Sequence, residues 1–141
     1  MAHHGVGVLV TNHARTRFCV QQKDRDYTPH PRGYSLFGGA LDPGEDPAEG
    51  LARELHEELG AAAAERLIAA GLRAVLTTTV EPFGFVYSLF EVAIDDPLLD
   101  RLAAAPVLEG ERAAVVEREQ LLSLPFIWGL EAVLAAYLEA R

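Results

Sequence analysis

Cysteine is nearly absent. Cys19 is the single one in 141 residues, so no internal disulfide can form, and a reducing compartment is the matching expectation. No apolar run approaches the roughly 18 residues of a membrane-spanning helix, so no membrane attachment is expected. The first ten residues lack the basic start and long apolar stretch of a secretory signal, which makes a cytoplasmic location the expectation. Positive charge is scarce: 12 Lys and Arg stand against 21 Asp and Glu, a formal net charge of −9. That balance argues against a general nucleic-acid binder, which carries a basic stripe, and no nucleic-acid polymer is expected as partner. It also makes any anionic substrate dependent on a local cation. No repeat, low-complexity tract or linker divides the chain, apart from some alanine enrichment. With half its residues apolar, the sequence reads as one domain over residues 1–141.

What is present alternates between strand and helix patterns. Residues 5–10 and 17–21 are β-rich runs around the loop chemistry of Thr11-Asn12-His13-Ala14. Residues 23–32 are polar, contain Pro29 and Pro31, and read as loop. Residues 34–37 form a short strand ending at Gly38-Gly39, and residues 41–47 a structured turn. A helix is expected over 47–59, with Asp46 as N-cap, Pro47 at the first position and Gly60 at the C-cap. Residues 61–70 extend or restart it, and Gly71 closes that stretch. Long β-type runs follow at 72–80 and 83–94, then a connection over 95–105 with at most one helical turn. A short strand at 112–116, a helical turn at 118–122 and a closing amphipathic helix at 128–140 complete a mixed α/β reading, with helices packed on a sheet.

The chemistry concentrates in the segment from Gly39 to Ala61. On a helical wheel Ala48, Leu51, Ala52, Leu55 and Leu59 share one arc, the expected buried face. Glu54, Glu57 and Glu58 occupy a neighbouring arc, because positions three and four apart stack on one side. Arg53, Glu49 and His56 take the remaining side. Like charges at that spacing cost about 0.2–0.5 kcal/mol per pair, a sign that a hard divalent cation reverses. Mg²⁺ takes one or two carboxylates together with waters and substrate phosphates, so the pattern suits an open metal site. A glutamate-rich helix alone is most often a solvated face. Here it follows Gly38, Gly39 and Gly44, and Arg53 is placed to pair with Glu45, a loop–helix cradle for metal and phosphate.

This segment resembles the Nudix box, the motif of the Nudix (MutT-type) hydrolase superfamily: G, five residues, E, seven residues, then R-E-U-x-E-E-x-G-U. Gly39, Glu45, Arg53, Glu54, Glu57, Glu58 and Gly60 fill all seven fixed positions, with Leu55 and Ala61 at the aliphatic ones. Chance would produce such a match on the order of once in 10⁵ chains of this composition. Ala61 departs toward a smaller side chain, which touches packing and not ligands. The usual P-G-G lead-in is replaced by Phe37-Gly38-Gly39, and Leu108-Glu109-Gly110-Glu111 resembles the family's late acidic loop.

The resemblance implies an α/β/α sandwich with a mixed β-sheet and the box as a loop–helix. It implies hydrolysis of a nucleoside diphosphate linked to another group, by water attack at phosphorus with Mg²⁺ or Mn²⁺. By matched position, Glu57 and Glu58 are metal ligands, Glu54 a further ligand or the general base, and the Gly38 carbonyl a backbone ligand. Arg53 and Glu45 form an ion pair that holds the loop on the helix. Glu54 ranks first as general base, with Glu109 or Glu111 second. Among the strand aromatics Tyr34, Phe37, Phe83, Phe85 and Tyr87, one or two are expected to stack a base, with Tyr34, Phe37 and Tyr87 as the named candidates. Cys19 reads as core packing, His56 as surface, and His3 and His4 as disordered terminal residues rather than metal ligands. Substrate markers known outside the box in other branches are not found, which leaves nucleoside triphosphates, oxidised ones included, or nucleotide sugars. The alternative reading is a catalytically silent Nudix domain that senses or binds a nucleotide; a homodimer is left open.

Overall fold

Alternation in the first strand sorts apolar side chains onto two faces. In β1 (His4–Asn12), Val6, Val8 and Val10 enter one core and Leu9 the other. The computed structural model describes residues 3–140, and β1 lies at the centre of its seven-stranded mixed sheet. On one side β1 pairs in parallel with β6 (Phe85–Ile94), from His4 opposite Val86 to Asn12 opposite Ile94. On the other it pairs antiparallel with β4 (Phe37–Ala40) near its start and with β2 (Arg17–Gln22) near its end. The sheet is completed by β3 (Tyr34–Ser35) and β7 (Arg112–Glu117) on β2, and by β5 (Arg73–Val80) on β6.

Helices cover both faces. α1 (Pro47–Leu59), α2 (Ala61–Gly71) and α3 (Asp96–Ala104) close the core that holds Val6, Val8, Cys19 and Phe37. α4 (Arg118–Leu121) and α5 (Leu130–Glu139) close the opposite core, with Leu9, Phe18 and Leu89. This is the expected α/β/α sandwich. Among the described residues no helix is long and apolar enough to cross a membrane. Cys19 is fully buried, and burial pushes its thiol up to about 12, as packing without reactivity requires.

Several local expectations are corrected, the first being the disorder expected at His4, which instead opens β1 with its Nε2 2.8 Å from Ser88 Oγ. Residues 95–105 contain a nine-residue helix, α3, where a connection with a single turn was expected. Asp95 caps it by accepting from the Leu98 N–H at 2.8 Å, Pro97 sits in its first turn, and Leu99 and Leu102 bury its inner stripe. The strand expected over 34–37 is interrupted at Leu36 and resumes through Gly38-Gly39 to Ala40, because β4 pairs with β1 directly through both glycines. The closing helix begins at Leu130, after a 3₁₀ turn over Ile127–Gly129 in which Trp128 (φ 52) and Gly129 (φ 77) are left-handed. The box helix is rotated from its expected aspect. Its buried residues are Gly50, Leu51, Leu55 and Glu58, whereas Ala48 is exposed and Ala52 and Leu59 are half-buried. The inward row therefore passes through a glutamate.

A second buried carboxylate ties the sheet together away from the box. Glu91 on β6 is 2% exposed and accepts both Nε and Nη2 of Arg15, each at 3.0 Å. It also accepts from Arg73 on β5 and from the Tyr137 hydroxyl on α5. Burial pushes its carboxyl up, but the donors from Arg15, Tyr137 and Arg73 outweigh that and hold it at about 2.

Candidate active site

Asp46 fixes the start of α1 by accepting from the backbone N–H groups of Ala48 and Glu49, at 3.0 and 3.4 Å. About two turns on, Arg53 reaches back. Its Nε and Nη2 donate to the two oxygens of Glu45, both at 3.0 Å, and Nη2 also donates to the Ala40 carbonyl at 3.2 Å. The Glu45 carboxylate accepts in addition from the Asp42 N–H at 2.9 Å. Arg53 and the Asp42 N–H hold the Glu45 carboxyl down at about 2. The expected Glu45–Arg53 pair thus clamps the loop between β4 and α1 onto the helix.

The glutamates of the box occupy three environments. Glu58 is 1% exposed beneath α1, where its carboxylate accepts from the Gly38 N–H at 2.8 Å and from Gln21 Nε2 at 3.4 Å. Burial pushes its carboxyl up to about 8, against the Gly38 hydrogen bond and the charge of Lys23. Glu54 lies against Gly39, so closely that a Cβ on that glycine would stand 2.6–2.8 Å from the carboxylate atoms. Burial raises its carboxyl too, with the negative charges of Glu57 and Glu109 adding to the effect and Arg53 opposing it. Glu57 is half-exposed, and its Oε1 shares Arg53 Nη1 with Glu54 Oε1, both at 3.2 Å.

The late acidic loop separates its two candidates. The Glu109 carbonyl oxygen lies 3.3 Å from Gln21 Nε2, which also reaches Glu58, and the Glu109 charge adds to the raised carboxyls of Glu54 and Glu58. Glu111 is instead held by Arg32, at 3.0 Å from Nε and 2.7 Å from Nη2, and its charge is spent there.

Among the described residues no three His, Cys, Asp or Glu side chains converge as a ready metal cluster. Arg53 gathers Glu54 and Glu57 onto its guanidinium, and Glu58 approaches from below. The donor set nevertheless fits a hard divalent ion: it is all oxygen, and the bare glycine edge keeps room around Glu54. The neighbouring negative charges that raise the carboxyls of Glu54 and Glu58 are also what a cation would relieve.

Gly38 and Gly39 form one wall of a cleft of about 620 Å³ that continues to the far side of β4. Aromatic rings line its deeper part. Tyr87 fills the space above Gly5 and Gly7, where a Cβ on Gly7 would fall 1.9 Å from the hydroxyl. Phe83 stacks on Phe85 at 6.2 Å and meets Trp128 edge-on at 5.4 Å. Trp128 Nε1 donates to the Tyr27 hydroxyl at 3.0 Å, and Lys23 Nζ stands 5.1 Å over the Tyr27 ring. Of the three named aromatic candidates, only Tyr87 lines this cleft. Phe37 is fully buried in the core beneath α1, and Tyr34 packs on Phe126 at 6.3 Å outside the lining. Sequence reasoning missed Trp128, Tyr27 and Gln21. For Trp128 the available signal was a lone tryptophan beside Gly129, three residues after Pro125.

The NUDIX domain model matches residues 1–135. Among solved structures, the chain is similar to MutT from work on Aliivibrio salmonicida and Vibrio cholerae, at 15% identity, full coverage of both chains and a TM-score of 0.69. A mutT/nudix family protein from Listeria innocua matches at 16% identity and a TM-score of 0.73, covering 98% of this chain and 92% of that one. An Ap4A hydrolase from C. elegans matches at 17% identity and 0.61, covering 99% and 100%. No curated protein matches by sequence. With the family model spanning nearly the whole chain and the fixed box residues running from Gly39 on β4 through the Glu45 loop and α1 to its C-cap Gly60, the chain belongs to the Nudix family of pyrophosphohydrolases.

Proposed function

We propose that this protein hydrolyses the pyrophosphate bond of a nucleoside diphosphate linked to another group, with Mg²⁺ or Mn²⁺. The substrate class is a nucleoside triphosphate, oxidised forms included, or a nucleotide sugar. One observation carries this reading: the carboxyl groups of Glu54 and Glu58 and the aromatic cleft share the Gly38–Gly39 edge. Phosphates and a planar base therefore have adjoining places, although the protein is acidic.

Glu54, Glu57 and Glu58 would hold the divalent ion, which neutralises phosphate charge and lowers the pKa of the attacking water. The protein's own contributions are separable from that. Glu54, raised by burial, is a stronger base than a solvated glutamate and suits proton removal from water. Glu109 is the second candidate for that proton. Arg53 keeps Glu54 and Glu57 aligned while it anchors the loop through Glu45. Lys23, at the cleft wall, offers a positive charge to the phosphates. Phe83, Phe85, Tyr87 and Trp128 supply flat faces for the base.

A panel of nucleoside triphosphates and nucleotide sugars, assayed for phosphate or nucleotide release with Mg²⁺ and with EDTA, tests the reading. Turnover that EDTA abolishes is expected. Trp128, the only tryptophan, lies in the cleft and gives a second readout through fluorescence quenching on nucleotide binding. Quenching without any turnover would replace the hydrolase reading by a nucleotide-binding module.

The two glycines should respond differently to alanine. At Gly38 (φ 148) a Cβ would lie 2.0 Å from the Val6 carbonyl oxygen, backbone against backbone. Gly38→Ala is expected to cost about 1–3 kcal/mol or more in urea unfolding. At Gly39 the obstacle is the end of the Glu54 side chain, which can move. Gly39→Ala should keep most of its stability and lose turnover, and equal losses in both variants would contradict this assignment.

A further inference from the structure

We infer that Gln21 is a positioning residue that joins Glu58 to the Glu109 loop. On β2 it follows Cys19 in the row of side chains that faces α1, a row in which an apolar residue is the usual occupant. It is 0% exposed. Its Nε2 lies 3.4 Å from Glu58 Oε2 and 3.3 Å from the Glu109 carbonyl oxygen, so one amide group reaches both the buried box carboxylate and the late acidic loop. The Glu109 backbone carbonyl can only accept, which fixes the amide orientation with Nε2 toward it.

The other half of the amide has no partner: Oε1 of Gln21 is a buried acceptor without a donor in the protein. An orphaned buried acceptor is destabilising, and such groups persist where function needs them. Here the orphan lies beside carboxylates that would hold a hydrated cation, whose waters carry the donors that Oε1 lacks. The loop is built to sit close over this amide. Leu108 N–H donates to the Glu58 carbonyl at 2.8 Å, and Glu111 N–H to the Gln22 carbonyl at 2.8 Å. At Gly110 (φ 84) a Cβ would stand 3.3 Å from Gln21 Cγ and Nε2 and 2.9 Å from the Gln22 carbonyl oxygen. Gln21 therefore sets where Glu109 stands relative to Glu54 and Glu58. It acts through those carboxylates and does not touch the reacting atoms.

The inference rests on the hydrolase reading, yet its test works without turnover. Gln21→Met keeps length and shape and removes the amide, and Gln21→Ala serves as a second variant. A structural role predicts a lower melting temperature with Mn²⁺ affinity unchanged. A positioning role predicts the reverse: in Gln21→Met the melting temperature of the metal-free protein holds or rises, because the orphan is gone. Mn²⁺ affinity, read by electron paramagnetic resonance, falls about 10–100-fold, as for other residues that orient metal ligands. Where substrate is turned over, kcat falls by a similar factor while KM stays near the wild-type value. Wild-type Mn²⁺ affinity in both variants overturns the inference, whatever happens to stability. If the wild type binds Mn²⁺ but hydrolyses no nucleotide, the hydrolase reading fails, and the affinity of Gln21→Met still decides the role of Gln21.

Discussion

Glu54→Gln should lower kcat by about 10²–10⁴-fold, the range expected for loss of a general base, and at the same time raise the melting temperature. The two effects share a cause. Glu54 is held against the bare Gly39 edge, where burial and the charges of Glu57 and Glu109 disfavour its ionised form. A carboxyl whose pKa is raised by folding leaves stability intact below the unfolded value near 4.5. It removes stability as pH climbs from there through the folded value. The amide carries no charge, so the thermal advantage of Glu54→Gln should be absent at pH 4 and present at pH 7. Thermal melts at both pH values, set beside initial rates, measure the pair of effects. Full activity in this variant would pass the proton-accepting role to Glu109, and a uniform fall in stability would contradict the electrostatic account.

Glu91→Ala should have a large effect on stability, about 3 kcal/mol, because it removes the one acceptor shared by Arg15, Arg73 and the buried Tyr137 hydroxyl. The side chain is 2% exposed and joins the β1–β2 turn, β5 and α5 through Arg15, Arg73 and Tyr137. Arg73, half exposed, recovers much of its solvation in the variant, so the buried Tyr137 hydroxyl and the Arg15 fork account for most of the loss. Here the pH dependence has the opposite sign from that of Glu54. The Glu91 carboxyl is held at about 2, below its unfolded value, so its contribution is present above about pH 4.5 and lost as pH falls toward 2. Urea unfolding at pH 7 and at pH 3 should show the gap between wild type and variant narrowing in acid. A gap that stays constant would assign the effect to packing alone.

Much of the box was legible because its signals are local. Asp46, Pro47 and Gly60 punctuate α1 as caps and first-turn residues do, and the Glu45–Arg53 pair follows from a turn folding back on a helix. The inward aspect of α1 was not legible. A wheel assigns hydrophobic residues to the core, and nothing in it says that Glu58 is buried because the Gly38 N–H waits beneath it. Helix α3 was under-read although Asp95 and Pro97 announce its start, since a short stretch between two strands resembles a connection. The base-side cleft escaped for a different reason. It is assembled from the β2–β3 loop, the β5–β6 turn and the approach to α5, three segments far apart in sequence, the last of which carries a left-handed Trp128. Phe37 shows the converse, since an aromatic next to the box glycines belongs to the core and not to the ligand.

The placement of β1 has a consequence for how the protein comes into being. Synthesis delivers the box in the first half of the chain, but β1 carries an open edge until its parallel partner β6 has emerged, with His4 waiting for Val86 and Asn12 for Ile94. Until then Val6, Val8 and Val10 have an incomplete sheet to pack from, and the Gly38–Gly39 edge leans on a strand supported from one side only. Such long-range pairing is formed late and slowly. A nascent or truncated chain can thus contain every residue of the motif and still possess no site: the motif is written early, and its geometry is a property of the finished sheet.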